Sequence, residues 1–512
     1  MARRPDRMIL DANTADRQAF EREFDACVIG TGPAGICIAR KLAEAGFDVA
    51  LMEGGDLDYT PESQELYVGD VIGHDYYQTD VTRLRFFGGT SNHWGGRSRT
   101  LEPHDFEHHP YHPLSGWPID KTDLDPYAEE ADTVLDLPPA EVFPDRVDDY
   151  AGPDMPIIKF RQSPPTRFGE KYHDELAASE RITLAVNANL VDMRLDPTLA
   201  TVETALFKSY APGDAGFPVR ARLFCLCLGG LENPRFLLNA NSQIPEGIGN
   251  SNDLVGRFFA EHMAFKIGSV LFESEVPTGR GYEPTAELMD EYEILNFNLL
   301  VGTKGLEFTR EAARSVICSG EFSERLAEKV LGRPLDCDFG GLGEYWENLN
   351  AEDRDQGWLA VIIEQSLNPD SRVMLAEERD IFGHRRLALD WQFTELDAHT
   401  TRTAATLIAQ RFAEQGLGRV QIRDWLMAEP VVWPAMGEGQ GEVGLHHHMC
   451  TTRMSADPAE GVVDADCRIH GMSNLYIGGS SVFSTGGHAN PTYTVVQLAL
   501  RLGDHLVAQL SA

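Results

Sequence analysis

The stretch Phe24-Asp25-Ala26-Cys27-Val28-Ile29-Gly30-Thr31-Gly32-Pro33-Ala34-Gly35 decides how the chain begins to fold. Phe24 to Gly30 reads as a short buried strand, Ala34 to Ala45 as a helix and Asp48 to Met52 as a second strand, which together make a βαβ unit. Gly30, Gly32 and Gly35 stand at G-x-G-x-x-G spacing between the first strand and the helix. Gly30 permits the tight turn, Gly32 lets the backbone approach a pyrophosphate, and Gly35 allows close helix packing. Pro33 and Ala34 open the helix, whose N-terminal amides and dipole favour an anion. Glu53 ends the second strand eighteen residues after Gly35, where a carboxylate accepts hydrogen bonds from ribose hydroxyls and repels a 2'-phosphate. A bare glycine-rich turn would require neither the strand, the helix nor the acid. A dinucleotide other than NADP is therefore expected.

Outward from this unit, Trp117 to Pro165 is rich in Pro, Asp and Glu, with Pro118, Pro126, Pro138, Pro139, Pro144, Pro153 and Pro156 interrupting any long element. That composition reads as a domain crossing. Ile182 to Ser209 alternates like paired strands, and Ala221 to Leu228 is an apolar strand leading into Gly229 and Gly230. Residues 265–440 mix strands with helices such as Asp397 to Gln415 and hold no nucleotide signature, so they are read as a separate, substrate-facing domain. Residues 441–512 return to strand, glycine-rich turn and helix. No internal repeat or low-complexity tract is evident.

The length, 512 residues with 42% hydrophobic and 24% charged content, suits two substantial globular domains. With 44 basic against 80 acidic side chains the net charge is -36, which repels a nucleic-acid backbone or an anionic membrane surface. Cys27, Cys37, Cys225, Cys227, Cys318, Cys337, Cys450 and Cys467 are scattered, several within apolar runs such as Leu223 to Leu228, and are read as reduced. Arg3, Arg4, Asp6 and Arg7, followed by the polar stretch Asp11 to Arg22, contain no apolar core of the length a secretory signal needs. No apolar run approaches the roughly 20 residues of a membrane span. The expectation is a cytoplasmic protein, with export on a signal-bearing partner left open.

Three further blocks carry a family resemblance: Phe87-Gly88-Gly89-Thr90-Ser91-Asn92-His93-Trp94-Gly95-Gly96, Gly229-Gly230-Leu231-Glu232-Asn233-Pro234-Arg235, and the region from His446 to Leu500. With the fingerprint, they make the chain resemble the glucose-methanol-choline (GMC) oxidoreductases from about Phe24 to the C-terminus, nearest in motif to pyranose oxidases and bacterial glycoside oxidases. The resemblance implies FAD rather than NAD and a mixed α/β architecture: a Rossmann-like FAD-binding domain and a substrate-binding domain built on an antiparallel sheet flanked by helices. It divides the chain into residues 1–115 (FAD-binding, first part), 116–180 (crossing segment and cap), 181–264 (second part), 265–440 (substrate-binding) and 441–512 (third part). The glycines of the second block bring backbone against a flat ring or phosphate. The resemblance implies that Gly88, Gly89, Ser91, Asn92, His93, Trp94, Gly95 and Gly96 lie against the flavin, with Leu190, Gly479, Ser480, Pro491 and Thr492 also contacting the cofactor. His93 stands where pyranose oxidases bond covalently to the flavin 8α-methyl group. Asn92 and Gly95 depart from the context of that attachment, and a histidine that only stacks at the flavin edge is the alternative.

His447 lies seven residues before Met454, the spacing that belongs in this family to the catalytic histidine, and Asn490 matches the partner asparagine of the pyranose-oxidase type. Gly478-Gly479-Ser480 replaces the Asp-Gly-Ser common elsewhere in the family. A neutral imidazole suits removal of a hydroxyl proton at neutral pH while a hydride leaves the carbon for the cofactor. An amide such as Asn490 can hold the same oxygen. By resemblance, a helix from Thr492 to about Leu502, preceded by Pro491, aims its dipole at the flavin N1 and C2 carbonyl. Glu364 and Gln365, in the block Glu364-Gln365-Ser366-Leu367-Asn368-Pro369 with Ser371-Arg372-Val373, read as the floor of the substrate domain, either contacting substrate hydroxyls or satisfied within the sheet. Asn252, Gly256, Arg257, Phe258 and His262 form another family block and are read as structural.

A metal is not expected. His446, His447 and His448 on an extended strand would alternate faces, and no carboxylate or thiolate at ligand spacing joins them or the nearby His470 and His488. No cysteine triplet supports an iron-sulfur cluster, and Cys225 and Cys227 read as core on one strand face. His104, His108, His109 and His112, in a Pro-containing loop, read as solvated or lining a channel. The expected activity is hydride removal from a secondary alcohol, a sugar or glycoside ring hydroxyl, to give a ketone, with dioxygen, a quinone or a cytochrome as acceptor and a homo-oligomer left open. The alternatives are oxidation of another bulky or aryl alcohol and, from another class, a lyase in which FAD is structural.

Overall fold

The structure is a computed structural model that describes residues 9–14, 17–139, 146–147, 151–158, 160–274, 276, 281–303, 356–435 and 443–512. Cys318, Cys337 and the part of the 265–440 segment that spans 304–355 lie outside the described residues.

The strand Glu23–Ile29 is the centre of the first sheet. Its inner residues and all four of Val49–Met52 are buried, as befits parallel strands covered on both faces. The order is Leu10–Asp11, Ile182–Val186, Val49–Met52, Glu23–Ile29, Phe217–Leu226, Val202–Lys208 and Asn189–Leu195, with Leu475–Ile477 also on Phe217–Leu226. The first five strands run parallel, and the last two form an antiparallel ribbon. The stretch read as paired strands therefore divides: Ile182–Val186 joins the parallel sheet beside Val49–Met52, and only Asn189–Leu195 and Val202–Lys208 pair with each other. Phe217–Leu226 splits one edge between two partners. Its residues 217–219 pair with the ribbon, and 224–226 run parallel to Leu475–Ile477. The fingerprint helix Pro33–Glu44 packs against the last helix, Thr492–Ser511, and a β-carbon on Gly503 would come within 2.9 Å of the Lys41 side chain.

The second sheet is antiparallel and runs Gly418–Ile422, Met263–Phe272, Gln356–Ile363, Phe297–Thr303, Gly281–Tyr282, Ile157–Ile158, Arg146–Val147, with Val443–Gly444 also on Met263–Phe272. Strands from 146–158, within the stretch read as a crossing, are thus part of this sheet. Period-two alternation sorts its residues. Met263, Phe265, Phe297, Leu299, Val361 and Ile363 share a core with Ala404, Ala405, Ile408 and Phe412 of the helix Glu395–Glu414. The opposite face carries a small apolar patch of Ala264, Leu300, Ala360 and Ile362. Thr394 and Asp397 form a capping box on that helix, and the buried Asp397 carboxylate also accepts from the Ser366 amide at 2.7 Å. One residue thereby fixes both the helix start and the end of the sheet floor.

Candidate active site

At the fingerprint the local geometry follows the glycines. Gly30 has φ +106° and a β-carbon there would lie 2.4 Å from the Cys227 carbonyl oxygen; one on Gly35 would lie 1.9 Å from the Gly30 oxygen. Gly32, the cap residue of Pro33–Glu44, has nothing within 4 Å on its open side. Glu53 is 6% exposed, and its carboxylate accepts from the Thr31 amide at 3.1 Å, the Thr31 hydroxyl at 2.5 Å and the Gly55 amide at 2.8 Å. The Gly88-Gly89 turn crosses over this loop. The Gly88 amide donates to Thr31 Oγ1 at 3.3 Å, and a β-carbon on Gly89 would sit 3.1 Å from the Gly32 Cα. The next side chains hold that turn in shape: Ser91 donates to the Gly88 carbonyl, Asn92 to the Phe87 carbonyl and Trp94 to the Thr166 carbonyl. The Gly95 carbonyl accepts from Gln162, and Gly96, at φ +75°, continues into the strand Arg97–Ser98.

A cleft at the ends of the parallel strands is lined by Ile29, Gly54, Tyr67, Ala188, Leu190 and Leu228. Its wall is completed by an ion network in which Glu232 meets Arg83 at 2.9 Å and Arg235 at 3.0 Å, and Arg235 meets Asp380 at 2.6 Å. Asn233 stitches the segments together, accepting from the Leu228 amide and donating to Ser481 Oγ at 2.9 Å. Gly479, at φ +115°, has open space beside it, and Ser480 donates to the His448 carbonyl. A glycine cradle with one open face, an adjoining cleft of mixed polar and apolar lining and an acid at the end of the second strand fit a dinucleotide cofactor.

The histidine-bearing tail reaches the same region. His447 Nε2 lies 3.4 Å from Asn490 Nδ2, so the two residues named by motif come together. Asn490 precedes Pro491, the cap residue of Thr492–Ser511. On its other side His447 Nδ1 meets His262 Nδ1 at 2.9 Å with the rings at 89°, and His262 Nε2 meets the Gly487 carbonyl at 2.6 Å. His262, read from sequence as structural, therefore touches His447. Below both, the buried Glu261 carboxylate accepts from the His447 amide at 2.7 Å and the His262 amide at 2.9 Å. Its second oxygen accepts from the Tyr76 hydroxyl, which also lies 3.0 Å from His448 Nε2.

Burial, then the neighbouring His262, His446 and His448, hold the His447 pKa well below the ordinary histidine value. Burial pushes His262 and His446 down to about 4 and His93 to about 3, with His446 the next contributor at His93. Burial raises Glu261 to about 7 against the hydrogen bonds it accepts.

The three consecutive histidines do diverge, for a reason other than strand alternation. His446 is left-handed at φ +59°, and its ring packs edge-on to Tyr77, whereas His448 turns towards Tyr76 and Phe259. Among the loop histidines, His104 and His109 stack at 3.9 Å and gather with Asp290, and His112 accepts from the Leu367 amide.

Glu364 ends the sheet floor in the same row as His262 and Asn296. Its carboxylate accepts from the Gly487 amide at 3.0 Å and the Asn296 amide at 3.4 Å. Burial, then the nearby Asp105, raise its pKa. Gln365 is spent within the framework: its oxygen accepts from Trp391 and the Glu261 amide, and its nitrogen donates to the Gln392 carbonyl. Two rows on, Asn298 stands opposite Ile362, which pairs with Ala264, on the apolar-patch face. Both its amide atoms are buried and without a partner among the described residues, as is Asn296 Oδ1. No sequence signal singles out Asn296, Asn298, Glu261 or Tyr76.

Residues 368–499 match the family GMC oxidoreductase. That segment carries the C-terminal signature of the GMC oxidoreductases, the family the chain resembles. It is 23% identical to a 2-methyl-1,2-propanediol dehydrogenase of Mycolicibacterium austroafricanum, over 96% of each chain. It is 25% identical to a 6'''-hydroxyparomomycin C oxidase of Streptomyces lividus, over 98% of this chain and 94% of that one. A fungal aryl-alcohol oxidase superposes with a TM-score of 0.57 at 14% identity, covering 96% of this chain and all of that one, which shows the shared GMC fold. Among the described residues, no helix is long and apolar enough to cross a membrane.

Proposed function

We propose that the protein is an FAD-dependent GMC oxidoreductase that removes a hydride and a proton from a secondary alcohol on a sugar or glycoside ring, leaving a ketone. The observation that carries the reading is the meeting of His447 Nε2 and Asn490 Nδ2 at 3.4 Å, at the start of the last helix and beside the glycine cradle. FAD, when bound, supplies the hydride acceptor. Gly30, Gly32, Glu53, Gly88, Gly89 and Leu190 are the residues to hold it, and His93 is either its covalent attachment point or a neighbour at its edge. His447 takes the hydroxyl proton at Nε2, and the Asn490 amide holds the same oxygen and so fixes the orientation of the carbon that reacts. The Asn298 amide and Asn296 Oδ1, buried and without partners among the described residues, support a hydroxyl-rich substrate over an aryl one, because an apolar guest beside them would leave them unsatisfied. The name of the paromomycin-related oxidase is in keeping with a hydroxyl-rich substrate, whereas the diol named for the dehydrogenase has only a primary carbon open to oxidation, so neither name speaks for a secondary ring hydroxyl.

The test is anaerobic mixing of the purified yellow protein with a panel of sugars, glycosides and aryl alcohols, following the flavin band. Bleaching by a sugar or glycoside is expected. Bleaching by aryl alcohols alone would move the assignment to that class, and no bleaching by any alcohol would favour a lyase. Acid precipitation decides the His93 linkage, since colour stays with the pellet only when the flavin is covalent.

A further inference from the structure

We propose that His262 is the positioning residue of this site, fixing His447 as the Nδ1–H tautomer so that the Nε2 lone pair faces Asn490 and the substrate. This role rests on the reading of His447 as the base and deepens it.

The Gly487 carbonyl oxygen can only accept, and His262 Nε2 lies 2.6 Å from it, so His262 Nε2 carries a hydrogen. His262 is fully buried, and burial disfavours its cation. A neutral ring with hydrogen on Nε2 has its lone pair on Nδ1. That Nδ1 faces His447 Nδ1 at 2.9 Å. Were His447 protonated at Nε2 instead, two lone pairs would oppose each other at hydrogen-bond distance. His447 Nδ1 must therefore donate, which leaves Nε2 as the acceptor and matches the Asn490 Nδ2 donor at 3.4 Å. An unpartnered imidazole exchanges between its tautomers, and one of them cannot act as a base at Nε2. His262 removes that ambiguity.

The surroundings hold His262 itself. Glu261 Oε1 accepts from the amides of both His262 and His447, so one carboxylate oxygen sets the spacing of the two residues, which are 185 positions apart. The Gly487 peptide is fixed on its other side, its amide donating to Glu364 at 3.0 Å. The line ends there, because a peptide carbonyl has no proton to pass on. A proton taken from the substrate hydroxyl at Nε2 forms an imidazolium whose Nδ1–H already points at the His262 lone pair. The charge is shared across two rings and stays in the site.

The test uses ring-15N-histidine-labelled protein, with His447 assigned by its absence in His447→Asn, and two substitutions at 262. In the wild type, His447 should show a protonated Nδ1 and a lone-pair Nε2. His262→Leu removes the acceptor, so His447 should become a mixture of tautomers, which alone lowers kcat for flavin reduction only by the fraction in the Nε2–H form. The imidazolium also loses the partner of its Nδ1–H, so that together kcat should fall by about 100-fold with KM little changed. His262→Asn keeps an oxygen where Nδ1 stood and should restore the single tautomer and most of the rate. Circular dichroism checks that each variant is folded. A wild-type His447 protonated at Nε2, or Asn and Leu variants that are folded and equally slow, would overturn the assignment. If the tautomer is as stated but His447→Ala still reduces flavin at the normal rate, the positioning stands and the reading of His447 as base is what fails.

Discussion

The imidazoles of His447 and His262 meet at 89° with their Nδ1 atoms 2.9 Å apart, although 185 residues separate them in the chain. That contact joins the tail segment that carries Asn490 to the edge of the antiparallel sheet. Both the proposed reacting pair and the glycine cradle can be tested by substitution.

Replacing His447 with Ala should slow substrate-driven flavin reduction by about 100-fold or more, because the hydroxyl proton then has no positioned acceptor. Asn490→Ala removes the amide donor at 3.4 Å and should cost about 100-fold. Stopped-flow absorbance under anaerobic conditions measures both. On the proposed reading the two residues act on one oxygen, so the double variant should be little slower than the worse single one.

The fingerprint glycines should separate folding from cofactor retention. A β-carbon at Gly35 would lie 1.9 Å from the Gly30 oxygen, so Gly35→Ala should yield little folded protein. At Gly32 nothing lies within 4 Å and φ is -70°, so Gly32→Ala should fold with an unchanged far-ultraviolet spectrum. Its flavin content after gel filtration should nevertheless fall, because the methyl group enters the space the pyrophosphate needs.

Stability should decline on the alkaline side through two buried acids. Burial raises Glu261 to about 7, and burial together with Asp105 raises Glu364. Each acid binds its proton more tightly folded than unfolded, so its contribution is complete below the unfolded pKa and is lost as pH climbs through the folded one. The buried histidines act in the opposite sense, costing stability only as pH falls below about 6.5, where the unfolded chain takes up protons first. Above that pH the raised acids lead the decline, joined towards about pH 8.5 by the buried thiols of Cys27, Cys37, Cys450 and Cys467, which burial also holds protonated. Glu364→Gln should therefore flatten the fall in melting temperature between about pH 6.5 and 8.5, and scanning calorimetry in matched buffers would reveal an unchanged slope if the carboxyl is not responsible.

The capping box at Thr394 gives access to the substrate-side framework. Thr394→Ala deletes a side chain that accepts from the Leu396 and Asp397 amides and should cost about 1 kcal/mol. The buried Asp397 also accepts from Ser366, so Asp397→Ala should cost more than the cap alone, as read by denaturant unfolding.

Much of the cofactor end is legible in the sequence because its constraints are local. A glycine needed for a positive φ or a close approach announces itself by position, as Gly30 and Gly35 do, and His447 and Asn490 each sit in a recognisable run. His262 is legible only as a member of a family block. Its meaning comes from a partner 185 residues away, and the stretch Phe258 to Met263 looks like the start of any buried strand. Asn296 and Asn298 are invisible for a related reason. Which strand face meets the cofactor domain depends on the register of Phe297–Thr303 with Gln356–Ile363, and a slip by one residue would exchange the faces. Strand alternation predicts that the three histidines diverge, but the divergence arises from the left-handed His446, a conformation the residue types do not signal.

The divided edge of Phe217–Leu226 has a consequence for biosynthesis. Phe224, Cys225 and Leu226 wait for Leu475, Tyr476 and Ile477, which leave the ribosome only after some 250 intervening residues have been made. Until then a nascent chain presents an unpaired apolar ladder beside a half-built cradle, open to wrong partners. Release of the final segment closes that ladder, delivers Asn490 and lays down the last helix in one event, so truncations upstream of 475 should yield aggregates rather than an inactive flavoprotein.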